Sequence, residues 1–355
     1  MLFSGSLSIL INLFVLFIAL TKVDFHVRPN QVFVAGMSLS DLGQSLIILV
    51  TGALYLSHQL LRTCMPIWSC GICYIVLRSS QVSAICFILI LNIDKLIAIC
   101  NPLHYRFVVT KRRAVWLALA VLLAALGFQI HTFHEILGMS GHISSCLNVK
   151  FMYQRLLVPR RLFFTITNIC LLVLPLTLSL VLSFLIVVLV ERIAYAESVV
   201  NFYVSPPPSE EVNSPNNQKR RQFAEMRRHS SSAASALARQ KQTLRRIVFV
   251  FSSTVWTALT YLPFRITYLV FLYCVSPPDV SLKDTSKLNE TPRTNCDLEP
   301  FRKINHVVLT LLLTGAMLSP VITIVTQRIY LNRVKYYFSK FIPEFIWKSQ
   351  KQSPL

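Results

Sequence analysis

Residues 67–99 read IWSCGICYIVLRSSQVSAICFILILNIDKLIAI, and only Arg78, Asp94 and Lys95 in this run carry a formal charge. A bilayer core of about 30 Å needs about 20 apolar residues wound as a helix, so the run is long enough to cross a membrane. Working outward, six more segments meet the same test: Leu2–Thr21, Gln31–Leu56, Ala114–His131, Phe163–Val190, Ile247–Cys274 and Ile304–Val325. The expected fold class is therefore an all-α membrane protein, a seven-transmembrane helix bundle. The first apolar run is long and lacks a basic start, so it does not read as a cleavable signal peptide. It begins almost at Met1, which implies either no outer N-terminal domain or a truncated sequence.

Composition supports lipid as the solvent. The chain of 355 residues is 54% hydrophobic and 14% charged, whereas a soluble domain carries about 25% charged residues. A net charge of +20 raises nucleic acid as a partner. The lysines and arginines, however, gather between the apolar segments, which reads as a topological signal, and no nucleic-acid partner is expected. Twenty-three of the 35 fall in segments 22–30, 95–113, 191–246 and 328–355, and ten in 57–67, 132–162 and 274–303. That bias places the first group inside, the N-terminus outside the cell and the C-terminus in the cytoplasm, as in a multi-pass plasma-membrane protein. Nine cysteines suit one or two outside bridges and several inert thiols within helices.

Spans one to five occupy 1–195 and spans six and seven 244–327. Segment 196–243 holds Ser205-Pro206-Pro207-Pro208, Ser214-Pro215 and Ser230-Ser231-Ser232 with mixed charge, and is expected to be a disordered cytoplasmic loop. In 328–355, Tyr330, Val334, Tyr337, Phe338 and Phe341 recur at helical spacing with basic residues between them. This predicts a short amphipathic eighth helix over Arg328–Phe341, lying on the inner surface of the bilayer, followed by a short tail.

A set of ordered motifs then resembles the rhodopsin-like G-protein-coupled receptors, from the first span to the eighth helix. Asn12 sits in the first span, and Ser38-Leu39-Ser40-Asp41-Leu42 is similar to the family's Leu-Ala-Asp-Leu. Asn92-Ile93-Asp94-Lys95-Leu96, continuing to Pro102-Leu103-His104-Tyr105, resembles Asp-Arg-Tyr and its Pro-Leu-x-Tyr extension. Pro175 fits the fifth-span proline, Tyr261-Leu262-Pro263 the Cys-Trp-x-Pro region, and Ser319-Pro320-Val321-Ile322-Thr323 the Asn-Pro-x-x-Tyr position. The departures are Lys95 for arginine, Leu96 for tyrosine, Tyr261 for tryptophan, and Ser319 and Thr323 for asparagine and tyrosine. Trp116 lies too early for the fourth-span tryptophan. The chain reads as a divergent, orphan-like member of unresolved subfamily.

The resemblance implies a transducer from an extracellular ligand to heterotrimeric G proteins, with arrestin and receptor kinases as further partners. It marks Asp41, Asp94, Lys95, Pro175, Pro263, Ser319, Pro320 and Thr323 as activation and coupling positions. Asp41 is an acidic residue deep in a span, which is costly and by default functional. In the family this position binds sodium. Here Ala84, Gly315 and Ala316 fall where polar partners often sit, while Ser83 and Ser319 remain. Two readings stand: a weakened or missing sodium site, or a hydrogen-bonded tie between helices. No other cofactor is expected. At Asp94–Lys95, lysine offers one compact charge where arginine offers a planar fork. That implies a looser inactive-state latch with raised basal activity, against the plainer reading of an interfacial ion pair worth under about 1 kcal/mol.

Cys70 stands 25 residues before Lys95, the family's spacing, and its implied partner is Cys146 in the second outer loop. Cys64 and Cys73 compete with Cys70, and Cys274 with Cys296 forms a second possible pair. Asn289-Glu290-Thr291 is a glycosylation acceptor, although Pro292 follows it. Arg227-Arg228-His229-Ser230 matches a basic-directed kinase site at Ser230.

For the ligand, Leu77 stands eighteen residues before Lys95, where amine receptors place an aspartate. Leu313 stands seven before Pro320, where opsins place the retinal lysine. Neither amine binding nor a retinal Schiff base fits. Instead, Arg78 and Arg265 lie within spans, where a guanidinium suits a carboxylate or phosphate. Arg302, Lys303 and His306 stand at the head of the seventh span, and with Leu77 and Tyr261 complete the candidate ligand set. The bland alternative is that both arginines snorkel or bond backbone carbonyls. Gln242-Thr243-Leu244-Arg245-Arg246-Ile247 resembles the sixth-span start of opioid and somatostatin receptors, which favours a peptide. Basic rims at Arg106, Lys111, Arg112 and Arg113, and at Arg239, Lys241, Arg245 and Arg246, suit anionic lipid or a G protein.

An enzyme is not expected: the spans hold no metal-ligand cluster and no nucleophile–base pair. A transporter needs repeated halves, broken helices or paired midplane charges, which the sequence lacks. A receptor-shaped scaffold or decoy with impaired coupling is the remaining alternative, given Lys95, Tyr261 and Thr323.

Overall fold

The computed structural model describes residues 2–22, 25, 28–61, 67–140, 161–204, 248, 251–267, 269–270 and 298–341. Among them all regular structure is helical. The first helix is Leu2–Lys22, the second Gln31–Leu61, the third Ile67–Cys100 and the fourth Lys111–Ser140, with a single turn at Tyr105–Val108 between the last two. The fifth runs as Arg161–Asn168, widens through a π turn at Ile169–Val173, and continues as Leu174–Val204. The sixth covers 251–267, the seventh Leu298–Thr326 and the eighth Arg328–Phe341. Among the described residues, five helices, the first to the fifth, are long and apolar enough to cross a membrane. The sixth and seventh stand where the remaining two apolar segments were expected.

The helix ends depart from the apolar segments for local reasons. The fourth helix starts before Ala114 because Thr110 caps it: the Arg113 N–H donates to Thr110 Oγ1 at 3.4 Å, satisfying one of the donors a helix start leaves open. The Arg113 side chain then donates to the carbonyls of Phe107 and Val108 at 3.0 and 3.1 Å, closing the end of the intervening turn. The fifth helix reaches Val204, so residues 196–204 of the segment expected to be a disordered loop are helical, while 205–243 lie outside the described residues. Polarity rises from Glu191 onward, but water ends the lipid-facing surface, not the backbone hydrogen-bond ladder. The π turn lies directly before Pro175, whose ring excludes a regular bond to residue 171 and clashes with its carbonyl.

Close packing of the second helix on the third rests on small residues. A Cβ at Gly36 would lie 2.5 Å from Phe87 Cζ, and one at Gly43 would lie 2.5 Å from Ser80 Oγ. Gly36 and Ser40 form a small-xxx-small pair, the pattern that lets membrane helices approach. Ser40 and Ser83 hydroxyls meet between the same helices at 2.8 Å. The second helix also packs on the first, fourth and seventh, and the third on the fourth and fifth. Two apolar clusters result. Val15, Ile18, Phe33, Met37, Phe87 and Tyr330 fill the end of the bundle near Asp94, and Val82, Ile85, Leu172, Leu176, Tyr261 and Leu312 lie farther along toward Arg78.

The eighth helix covers the segment predicted for it. Tyr330 is fully buried and donates to Gln31 Oε1 at 3.1 Å, while Gln31 Nε2 donates to Gln327 Oε1 at 3.1 Å. Tyr337 packs edge-on against Phe14 with ring centroids 6.1 Å apart. The seventh–eighth junction is thereby pinned to the start of the second helix.

Candidate functional site

Polar side chains buried in an apolar bundle are costly unless hydrogen-bonded, and among the described residues four groups of them bear on the site. The first surrounds Asp41. Ser319 Oγ donates to Asp41 Oδ2 at 2.8 Å, joining the seventh helix to the second. Ser45 turns back to the Asp41 carbonyl at 2.7 Å and meets Ser8 Oγ at 2.6 Å. Ser8 also donates to the Ala316 carbonyl at 2.9 Å, and Asn12 Nδ2 donates to the Ser8 carbonyl at 3.0 Å. Thr323, at the end of the Ser319-Pro320 motif, donates to the Ser319 carbonyl at 3.2 Å. First, second and seventh helices are thus laced together by hydroxyls. Ser83 faces Ser40, and a Cβ at Gly315 would lie 2.8 Å from Thr260 Oγ1, so that position is filled by the sixth helix.

The second group joins the sixth helix to the second. Tyr261 is buried and donates its hydroxyl to Gln44 Oε1 at 2.6 Å. Gln44 lies one turn beyond Asp41 on the same helix, so Tyr261 and the Asp41 network share one face of it.

The third group holds the two arginines. Arg78 is buried and donates to Asn168 Oδ1 of the fifth helix at 3.4 Å. Arg265 is 1% exposed, donates to Gln81 Oε1 of the third helix, and lies 5.1 Å from the centre of the Phe264 ring. Arg78 and Gln81 are three residues apart and share a helix face. Arg265, two residues past Pro263 on another helix, is therefore brought to the wall that carries Arg78. Both arginines are inside the bundle and donate to side-chain amides. Leu77, by comparison, is only partly buried.

The fourth group lies toward the Asp94 end. Asn92 is fully buried; Ser183 of the fifth helix donates to its Oδ1 at 2.7 Å, and its Nδ2 donates to Thr254 Oγ1 of the sixth at 3.0 Å. The same Nδ2 also reaches the Ile88 carbonyl at 3.1 Å. One amide thereby ties three helices. Two residues on, Lys95 Nζ pairs with Asp94 Oδ2 at 2.7 Å, and Tyr105 donates to Asp94 Oδ1 at 2.7 Å. Asp94 has both oxygens engaged, one by its chain neighbour and one by the turn that follows.

Asn92, Gln44, Gln81 and Asn168 are absent from the sequence-predicted set. Two of them had a faint signal: Gln44 follows Asp41 by three and Gln81 follows Arg78 by three, so each shares a face with an intramembrane charge. Cys146, Cys274, Cys296, Asn289 and Ser230 lie outside the described residues, as do the side chains of Cys70, Arg302, Lys303 and His306. Trp116 is exposed on the outside of the bundle, consistent with its position away from the family's tryptophan. Among the described residues, no group of three or more His, Cys, Asp or Glu side chains is placed to hold a metal ion.

Comparison with known proteins gives this arrangement its family. Residues 11–322 match the family model described as 7 transmembrane receptor (rhodopsin family). A Caenorhabditis elegans protein named G-protein coupled receptor aex-2 is 29% identical over 340 residues, covering 95% of this chain and 81% of the relative. The matched region runs from the first helix into the Ser319–Thr323 motif of the seventh. The order of the helices among the described residues, an acidic second-helix network tied to the seventh, and the family match agree: the chain belongs to the rhodopsin family of seven-transmembrane receptors.

Proposed function

We propose that this receptor converts binding of an extracellular ligand bearing an anionic group into activation of heterotrimeric G proteins at the plasma membrane. The N-terminus lies outside and the C-terminus in the cytoplasm, with arrestin and receptor kinases as later partners. The observation that carries the ligand reading is the convergence of Arg78 and Arg265 on one wall through Gln81. A guanidinium held in a semi-dry site binds carboxylate or phosphate in two-pronged fashion. Leu77, where an amine receptor has its counter-charge, offers no attraction to a cation.

Asp41 acts as a tie between helices rather than as a sodium ligand, because the hydroxyls around it are engaged with one another and with backbone carbonyls. Lys95 holds Asp94 locally and replaces the two-pronged arginine with a single contact.

The test is a G-protein activation screen of acidic peptides, acidic lipids and nucleotides on cells expressing the receptor, with Arg78→Ala and Arg265→Ala beside it. An anionic agonist should lose its effect in both variants at equal surface expression. Unchanged potency rules out the anion reading. Normal expression without coupling to any G protein, in the parent and in Lys95→Arg alike, favours the scaffold or decoy instead.

A further inference from the structure

The chemistry around the two arginines is narrower than a positive charge alone. Arginine has donors and no acceptor, so whatever bonds it must present an oxygen. Arg265 therefore takes the Oε1 of Gln81, and Arg78 takes the Oδ1 of Asn168. Each amide is oriented by that choice, and its NH2 group is left as the end not facing the arginine. Gln81 and Asn168 are both fully buried, and neither Gln81 Nε2 nor Asn168 Nδ2 has a hydrogen-bond partner among the described residues. Tyr74, one turn before Arg78 on the same face of the third helix, likewise has a buried hydroxyl without a partner. A buried amide NH2 lacking an acceptor is unfavourable, and native proteins rarely leave it so without a reason.

We infer that Gln81 and Asn168 complete the arginine pair as a donor-only site: the end of the ligand bound there is a carboxylate or phosphate ester that accepts hydrogen bonds and offers none. This rests on the reading of Arg78 and Arg265 as ligand-facing, and adds two specificity residues to it. An oxyanion accepts from the guanidinium groups and from both amides together. An amide, alcohol or ammonium isostere places donors against donors. The apolar cluster beside the wall, with Val82, Ile85 and Leu172, suits an uncharged body attached to that end.

The experiment uses the full-length receptor purified in lipid nanodiscs, with binding followed by thermal unfolding and calorimetry. The probes are benzoate and phenyl phosphate against benzamide and benzylamine. At least one oxyanion should bind and stabilise, and which one does separates a carboxylate from a phosphate source; benzamide and benzylamine should not. Gln81→Glu and Asn168→Asp keep the acceptor for arginine and remove the NH2, so each should weaken the bound oxyanion about tenfold to a hundredfold. In Gln81→Glu the preference of benzoate over benzylamine should shrink or reverse, which a purely structural role would not produce. Gln81→Met removes the donor at similar length and serves if the acidic variants fail to fold. Benzamide binding as well as benzoate, or neither oxyanion binding, overturns the inference. Loss of binding in Arg78→Ala and Arg265→Ala with no change in the amide variants leaves the anion reading standing and this inference refuted.

Discussion

Replacing Asn92 with alanine should raise ligand-independent signalling. Asn92 makes three hydrogen bonds, of which one, to the Ile88 carbonyl, stays within its own helix. The other two cross to Ser183 and Thr254, and so tie the fifth and sixth helices to the third. Only these two would be lost if the fifth and sixth helices moved away from the third, so only they bias the equilibrium. At about 1 kcal/mol net for each, their removal shifts the balance by about 2 kcal/mol, or about 30-fold in the ratio of states. A receptor populating its signalling form at about 1% would then reach about 20% without ligand. The assay is basal G-protein activation normalised to surface expression, with a fluorophore near residue 251 reporting sixth-helix movement where coupling is absent. Ser183→Ala and Thr254→Val should each give part of the effect, and neither should add to Asn92→Ala. Unchanged basal signalling and an unmoved fluorophore, with normal folding, would refute the claim that these bonds hold the fifth and sixth helices against the third.

Gly36→Ala should lower the unfolding temperature, because its methyl would sit 2.5 Å from Phe87 Cζ, an overpacking cost of about 1–3 kcal/mol; pairing it with Phe87→Leu should recover most of the loss, and an unaltered temperature in the single variant would contradict the packing described. Exchanging sodium chloride for choline chloride at equal ionic strength should leave the purified receptor's unfolding temperature unchanged. A sodium-dependent rise that disappears in Asp41→Asn would show that Asp41 is a cation site after all.

The spans and their order were legible because lipid demands apolar length, and apolar length survives as a count along the chain. The ends of helices were less so. Glu191 is the first charge after the fifth apolar run, and the helix continues past it to Val204 because neither proline nor glycine interrupts those residues. Of the candidate site, Asp41, Arg78 and Arg265 stood out as charges inside apolar runs, and Tyr261 as a substitution in a motif. The amides did not. Gln44, Gln81, Asn92 and Asn168 carry no charge and interrupt the apolar runs only briefly. Each acquires its meaning from a side chain on another helix, a relation that periodicity along one helix does not encode.

The lacing of the second helix divides the molecule unequally. Hydroxyls bind it to the first and seventh helices, a tyrosine and two glutamines bind it to the eighth, and two glycines press it on the third. Among the described residues, the fifth and sixth helices meet this frame through polar pairs such as Ser183–Asn92, Asn92–Thr254 and Tyr261–Gln44, and through apolar contact. The first to third helices are therefore expected to act as a stator and the sixth as the rotor. A probe on the first helix should stay silent through any response of the receptor, and one near residue 251 should carry nearly all of the signal.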